Sequence, residues 1–214
     1  MLPILLHNRG IPWYLRGGIP KANCLAAYQP KSAASYAVSK VNLVLPGTYD
    51  LVDGVAFPTW DITNGWIFPS PSIQAILTST VTLSNATTVL CRFVGGNPTI
   101  VNGRLFNNSA DSFLVILDTG ATHQYKNGTV GLNVGAGLTG SHIIGIAGAS
   151  AILDGAVDGT ITTADIGTTT TLVVGNRSSD TARQVYANIQ ALVVYSVTLT
   201  LPQIVAVTNA MNLL

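Results

Sequence analysis

The chain has 214 residues, of which 48% are hydrophobic and only 9% charged, and its formal net charge is +1. Its four lysines and six arginines are scattered, so it presents no basic footprint for nucleic acid or an anionic membrane. It has no glutamate, and 24 threonines with 21 glycines favour strands and turns over long helices.

Residues 1–22 differ from the rest. Residues 2–6 are apolar, followed by His7-Asn-Arg-Gly10, Ile11-Pro-Trp-Tyr14 and Leu15-Arg-Gly-Gly18. The prolines and glycines make a poor regular element, so this stretch reads as an arm that needs a partner surface. Its own sandwich or a neighbouring subunit could supply that surface, and the assembly contacts are expected at Leu5, Arg9, Trp13, Tyr14 and Arg16. Trp13 and Tyr14 are the aromatic pair least expected in the core. The apolar run is too short for a signal-peptide core, and no segment approaches the roughly 18 apolar residues of a membrane span. The expectation is a protein with no export route of the standard kind and no membrane partner.

Residues 31–40 are the one early stretch with helical character, short and alanine-rich. From Thr48 onward, short β-branched runs alternate with turn pairs such as Asp53-Gly54, Asn64-Gly65, Asn127-Gly128, Asp154-Gly155 and Asp158-Gly159. Strands are predicted near residues 89–94, 113–117, 142–146 and 172–174, the spacing of an antiparallel double sheet. Cys91 falls in one of these strands. With Cys24 it could form a disulfide, but two buried thiols are the favoured outcome. Gly135-Ala-Gly137-Leu-Thr-Gly140 matches the dinucleotide fingerprint in letters. The alternating residues after it predict a strand where pyrophosphate binding needs a helix, so a turn is expected.

The last third carries the strongest pattern. Alternation places Ile189, Ala191, Val193 and Tyr195 on one face and Gln190, Leu192 and Val194 on the other. Both faces are largely apolar, which predicts a strand covered on two sides. Thr200 then caps a helix predicted over residues 201–211, with Pro202 in its first turn.

A strand ending in Gly175-Asn176, a polar loop, Ala187-Asn-Ile-Gln-Ala-Leu-Val-Val-Tyr195 and Leu199-Thr-Leu-Pro-Gln-Ile204 resembles the closing segment of concanavalin A-like (laminin G-like) jelly rolls. Ala151-Ile-Leu-Asp-Gly-Ala156 is similar to that family's Asp/Asn-Gly hairpin, and residues 46–68, with Trp60 and Trp66, look like its first sheet segment. The resemblance implies an all-β fold: a concanavalin A-like antiparallel β-sandwich over residues 23–214 with a short C-terminal helix.

Retaining β-glucanases of this fold use paired glutamates, and this chain has none. The close pairs Asp50/Asp53 and Asp154/Asp158 largely precede glycine, where turns favour aspartate. His7, His123 and His142 have no metal-ligand spacing, and His123 reads as a satisfied sheet histidine. These observations predict that the protein is not an enzyme. The resemblance also implies calcium as the one metal of interest, with Asp154, Asn176 and Asp180 as loop ligands, though ordinary turn chemistry explains them too. Trp60, Tyr125 and Tyr186 are the candidate glycan contacts.

Modules of this family recur in bacteriophage capsids and tails and on bacterial surfaces. The expected role is a virion-associated structural or decoration protein, assembled in the host cytoplasm through its arm onto itself or other virion proteins. Such a protein could also present a glycan-binding surface. The alternative is an extracellular carbohydrate-binding lectin module.

Overall fold

The computed structural model describes residues 10–54, 56–68, 75–95, 103–108, 110, 112–117, 122–162, 171–175 and 185–214. In chain order the elements are β1 (Cys24–Tyr28), α1 (Tyr36–Ser39), β2 (Val52–Asp53), β3 (Thr59–Asp61), β4 (Gly65–Ile67) and β5 (Leu77–Ser79). Then come β6 (Thr88–Gly95), β7 (Gly103–Asn108), β8 (Phe113–Leu117), β9 (His123–Asn127), β10 (Gly131–Val134) and β11 (Gly140–Ala147). The chain closes with β12 (Ser150–Leu153), β13 (Ala156–Thr160), β14 (Leu172–Val174), β15 (Ala187–Tyr195) and α2 (Leu201–Asn212).

The strands form two antiparallel sheets. One runs β13-β12-β11-β6-β15-β4-β3, with β1 also paired to β15; the other runs β10-β9-β8-β7-β14-β5-β2. Between them lies a core that includes Trp66, Phe93, Phe106, Phe113, Leu172 and Leu192. Side chains of this size, fully removed from water, each contribute roughly 1.5–3 kcal/mol. The turns that set this order carry their expected chemistry. Asp154 (φ 49°) and Gly155 (φ 84°) are both left-handed, as the tight β12–β13 hairpin requires.

The first sheet is apolar on its outer face as well, where Ala27, Leu90, Ile143, Ile152, Val193 and Tyr195 lie under Ile204, Val207 and Met211 of α2. The Thr200 N–H donates to Gln203 Oε1 at 3.0 Å, fixing the start of that helix. Two-sided coverage of β15 is as the sequence predicts, but the face assignment needs one correction. A bulge between Ile189 and Ala191 shifts the register, so Ile189 joins Leu192 and Val194 in the inner core while Ala191, Val193 and Tyr195 face the helix.

The described part of the arm packs against its own domain. Tyr14 and Ile19 are buried in the layer beneath α2. The Tyr14 hydroxyl donates to the Leu43 carbonyl at 3.0 Å, and the Tyr195 hydroxyl donates to the Tyr14 carbonyl at 2.9 Å. Trp13 meets the Tyr14 ring edge-on at 5.5 Å. The expectation that this aromatic pair stays outside the core is therefore corrected: the outer face of β15 supplies a ready apolar bed, and Tyr14 finds acceptors for its polar end there. Arg16 is exposed, while Leu5 and Arg9 lie outside the described residues. The helix expected over residues 31–40 shrinks to the single turn of α1. Ser32 takes a left-handed φ of 66°, and Ser35 starts the helix late by accepting from the Val38 N–H at 3.2 Å. Cys24 and Cys91 are buried free thiols.

Candidate functional site

At one end of the sandwich, β4, β6 and β15 finish together around a cleft of about 250 Å³ lined by Ile67, Phe68, Val94, Gly95, Tyr186, Ala187 and Asn188. Asn188 pairs with Ile67 on one side and Val94 on the other, so these three side chains share one face of the sheet. The backbone beside them is fixed by hydrogen bonds from Phe68 N to the Ala187 carbonyl (3.2 Å) and from Val185 N to the Gly175 carbonyl (3.2 Å). Gly175 is required here. Its φ is 97°, and a Cβ would lie 2.0 Å from the Phe68 ring. The wall of the cleft is thereby fixed, and Tyr186, which lines the same cleft, is 42% exposed. An exposed aromatic ring beside an amide offers an apolar face to the C–H side of a sugar and hydrogen-bonding groups to its hydroxyls.

The other candidate glycan contacts differ. Trp60 is half-buried, and its indole N–H donates to the Pro30 carbonyl at 2.8 Å. Tyr125 is fully buried, so the expectation that it touches a glycan is corrected. On β9 the period of two turns Tyr125 inward together with His123 and Asn127.

That inward face carries a polar network that sequence reasoning missed. The Tyr125 hydroxyl donates to Asp158 Oδ2 at 2.8 Å and lies 3.2 Å from the Ile152 carbonyl. His123 Nε2 lies 2.6 Å from the same carboxylate oxygen, and Nδ1 lies 2.9 Å from the Ala136 carbonyl. Both ring nitrogens of His123 therefore face oxygen acceptors. Burial, and then the hydrogen bond to Asp158, push the Tyr125 hydroxyl far above the ordinary tyrosine range. The network ties β9 of one sheet to β13 of the other, where the two sheets draw together: a Cβ on Gly159 would lie 2.7 Å from Leu132. Only the His123/Tyr125 spacing of two was visible in the sequence. Asp158 read as a turn residue, and pairing across the sandwich leaves no local signal.

Asp154 serves its hairpin. Its carboxylate accepts from Ile143 N at 2.9 Å and lies 2.8 Å from His142 Nδ1. Among the described residues, no three His, Cys or Asp side chains converge as a metal site would require. Asn176 and Asp180 lie outside the described residues. Gly135 to Gly140 leads into strand β11 rather than a helix, so no dinucleotide cradle forms there.

Neither a protein-family model nor a curated protein sequence matches the chain. Solved structures do. Trypanosoma rangeli sialidase in complex with sialic acid matches with a TM-score of 0.67 at 13% identity, over 90% of this chain and 34% of that one. A structure on the dependence of botulinum neurotoxin type C cell entry on two ganglioside molecules matches with a TM-score of 0.64 at 9% identity, over 89% of this chain and 52% of that one. The chain thus spans about a third of the sialidase chains and about half of the toxin chain. At such identities the likeness speaks to fold: the chain is a concanavalin A-like antiparallel β-sandwich with a short C-terminal helix. The sialidase likeness also overturns the expectation from sequence that the protein is not an enzyme, because this architecture makes up about a third of the sialidase chains it matches.

Proposed function

We propose that the protein is a lectin-like glycan-recognition module whose contact site is the cleft at Tyr186. The observation that carries this reading is the exposed Tyr186 ring beside Asn188, in a cleft whose wall Gly175 and Phe68 fix. The sialic acid complex and the ganglioside-dependent toxin among the structural neighbours support it. Among the described residues no charged side chain lines the cleft. That chemistry suits a neutral hexose face better than a sialic acid carboxylate, which wants an arginine. A glycan array, followed by calorimetry of lactose against 3′-sialyllactose, tests the proposal. Binding of the neutral sugar, lost in Tyr186→Ala without a change in melting temperature, is expected; binding that survives this substitution refutes the site.

A second reading, a virion structural or decoration subunit assembled in the host cytoplasm, is favoured by one observation. On the flank carrying β2 and β3, Val52 is 58% exposed and Phe57 and Ile62 are each 59% exposed. These sit on edge strands of the two sheets or next to them, in a chain with little charge to keep copies apart. Under this reading Arg16 and the residues before it add contacts to other virion proteins. Sedimentation as a large complex with no glycan bound would favour this role over recognition.

A further inference from the structure

An apolar pocket of about 400 Å³ opens beside the start of β1, lined by residues far in sequence from the Tyr186 cleft. Cys24, Leu25, Val44, Leu45 and Tyr49 form much of its wall, and among the described residues Lys21 is its only charged lining residue. Among the described residues no carboxylate pairs with Lys21.

The wall is built rigidly. Asn42 is completely buried, and its side-chain oxygen accepts from Ala27 N and Val44 N, both at 3.0 Å. Its amide nitrogen donates to the carbonyls of Leu25 (3.0 Å) and Thr48 (2.9 Å), and its backbone N–H donates to Asp50 Oδ1 at 2.8 Å. One side chain thus clamps β1 to the segment that closes the pocket. Tyr49 is held in a left-handed conformation, φ 61°, a costly geometry for an aromatic residue. Its carbonyl accepts from the Tyr28 hydroxyl and from Ser79 Oγ, the latter at 2.8 Å. A preformed, mostly apolar cavity of a few hundred Å³ with one placed polar group is the usual build of a small-molecule site.

We propose that this pocket binds a small monoanionic amphiphile, with its aliphatic chain against Leu25, Val44 and Leu45 and its carboxylate on the Lys21 ammonium. Charge complementarity selects the headgroup: among the described residues Lys21 is the charged side chain that lines the pocket and no carboxylate pairs with it, while the nearby Asp50 carboxylate is taken up by the backbone N–H groups of Asn42 and Gly47. Binding is non-covalent, because burial pushes the Cys24 thiol up to about 12 and keeps it protonated.

Calorimetric titration of the full chain with decanoate, decanol and decylamine, each below its micelle concentration, tests the proposal. Decanoate is expected to bind one to one and more tightly than decanol, and decylamine least. Lys21→Ala should weaken decanoate about fivefold and leave decanol unchanged, the size expected for an exposed charge pair. Val44→Trp should remove both ligands. Leu45→Asp, at an exposed position where the fold is not at stake, should remove decanoate while preserving the circular dichroism spectrum and melting temperature. No decanoate binding, equal binding of decanoate and decylamine, or binding indifferent to Val44→Trp and Leu45→Asp would overturn the proposal. So would binding only to phosphatidylglycerol vesicles, which means a membrane surface. A dimer dissociated by Leu45→Asp, with no decanoate binding, would mean that a second copy covers the pocket. None of these outcomes bears on the Tyr186 cleft.

Discussion

Replacing Asp158 with alanine should strip the sandwich edge of a carboxylate that both sheets share. The Tyr125 hydroxyl would keep only the Ile152 carbonyl at 3.2 Å, and His123 Nε2 would lose its contact at 2.6 Å. His123 and Tyr125 are almost fully removed from water, so neither can recover a partner from solvent without opening the edge. Leaving a buried polar group without its partner costs about 1–3 kcal/mol, and two such groups are affected. The Asp158 side chain is 19% exposed, however, and water can enter the space it vacates. A loss of about 2–4 kcal/mol is therefore expected, or a melting temperature lowered by roughly 4–16 °C in a chain of this size. Urea unfolding of wild type, Asp158→Ala, Tyr125→Phe and the double variant measures it. The cycle should yield a coupling of about 1 kcal/mol or more between the two side chains, since they touch. A cost for Asp158→Ala below about 0.5 kcal/mol, within the range of ordinary surface substitutions, would refute the reasoning.

Gly175→Ala should leave little soluble folded protein, because the new methyl would meet the Phe68 ring at a φ of 97°; wild-type chemical denaturation of this variant would remove Gly175 from the account. Stability should fall with rising pH above about 8.5. Burial raises Cys24 to about 12 and Cys91 further still, so the folded thiols keep protons that the unfolded thiols release, and stability present below the unfolded value is lost as pH climbs towards and through the folded one. A decrease on the order of 3 kcal/mol between pH 8 and pH 10, read by urea midpoints, is expected, and Cys24→Ala should flatten the slope. Deleting residues 1–20, read as harmless to the fold if they were only an arm, should instead cost about 3–6 kcal/mol through loss of the buried Tyr14 and Ile19 and exposure of Tyr195. Differential scanning calorimetry of the truncated chain measures that loss, and an unchanged melting temperature would return the segment to a purely external role.

The legibility of this fold tracks how local each signal is. The β15–α2 segment was readable because alternation, the Thr200 cap and Pro202 all sit within a few residues of the groups they act on. The Asp154-Gly155 hairpin was readable for the same reason, as φ is positive at both positions. The bulge at Ile189 was not. An extra residue in one strand shows only against the partner strand, and β6 lies about a hundred residues earlier. Tyr14 was misplaced through the same gap: no local pattern reveals that β15 presents an uncovered apolar face with the Leu43 carbonyl beside it.

The candidate sites follow the same division. Tyr186 was named on residue type, and the fold leaves it 42% exposed just ahead of the closing strand. Tyr125 was named beside it on residue type alone, and its burial follows from its turn toward Asp158 across the sandwich. The pocket at Lys21 left no sequence signal, because it depends on one asparagine, Asn42, gathering groups from Leu25, Ala27, Val44, Thr48 and Asp50. Each of those partners is a backbone atom except Asp50, and a backbone partner can be any residue type. A sequence therefore exposes which side chains can do chemistry more readily than which of them the backbone has locked. Here the locked ones, Asn42 and Gly175, determine whether Lys21 and Tyr186 stand beside formed cavities or open surface.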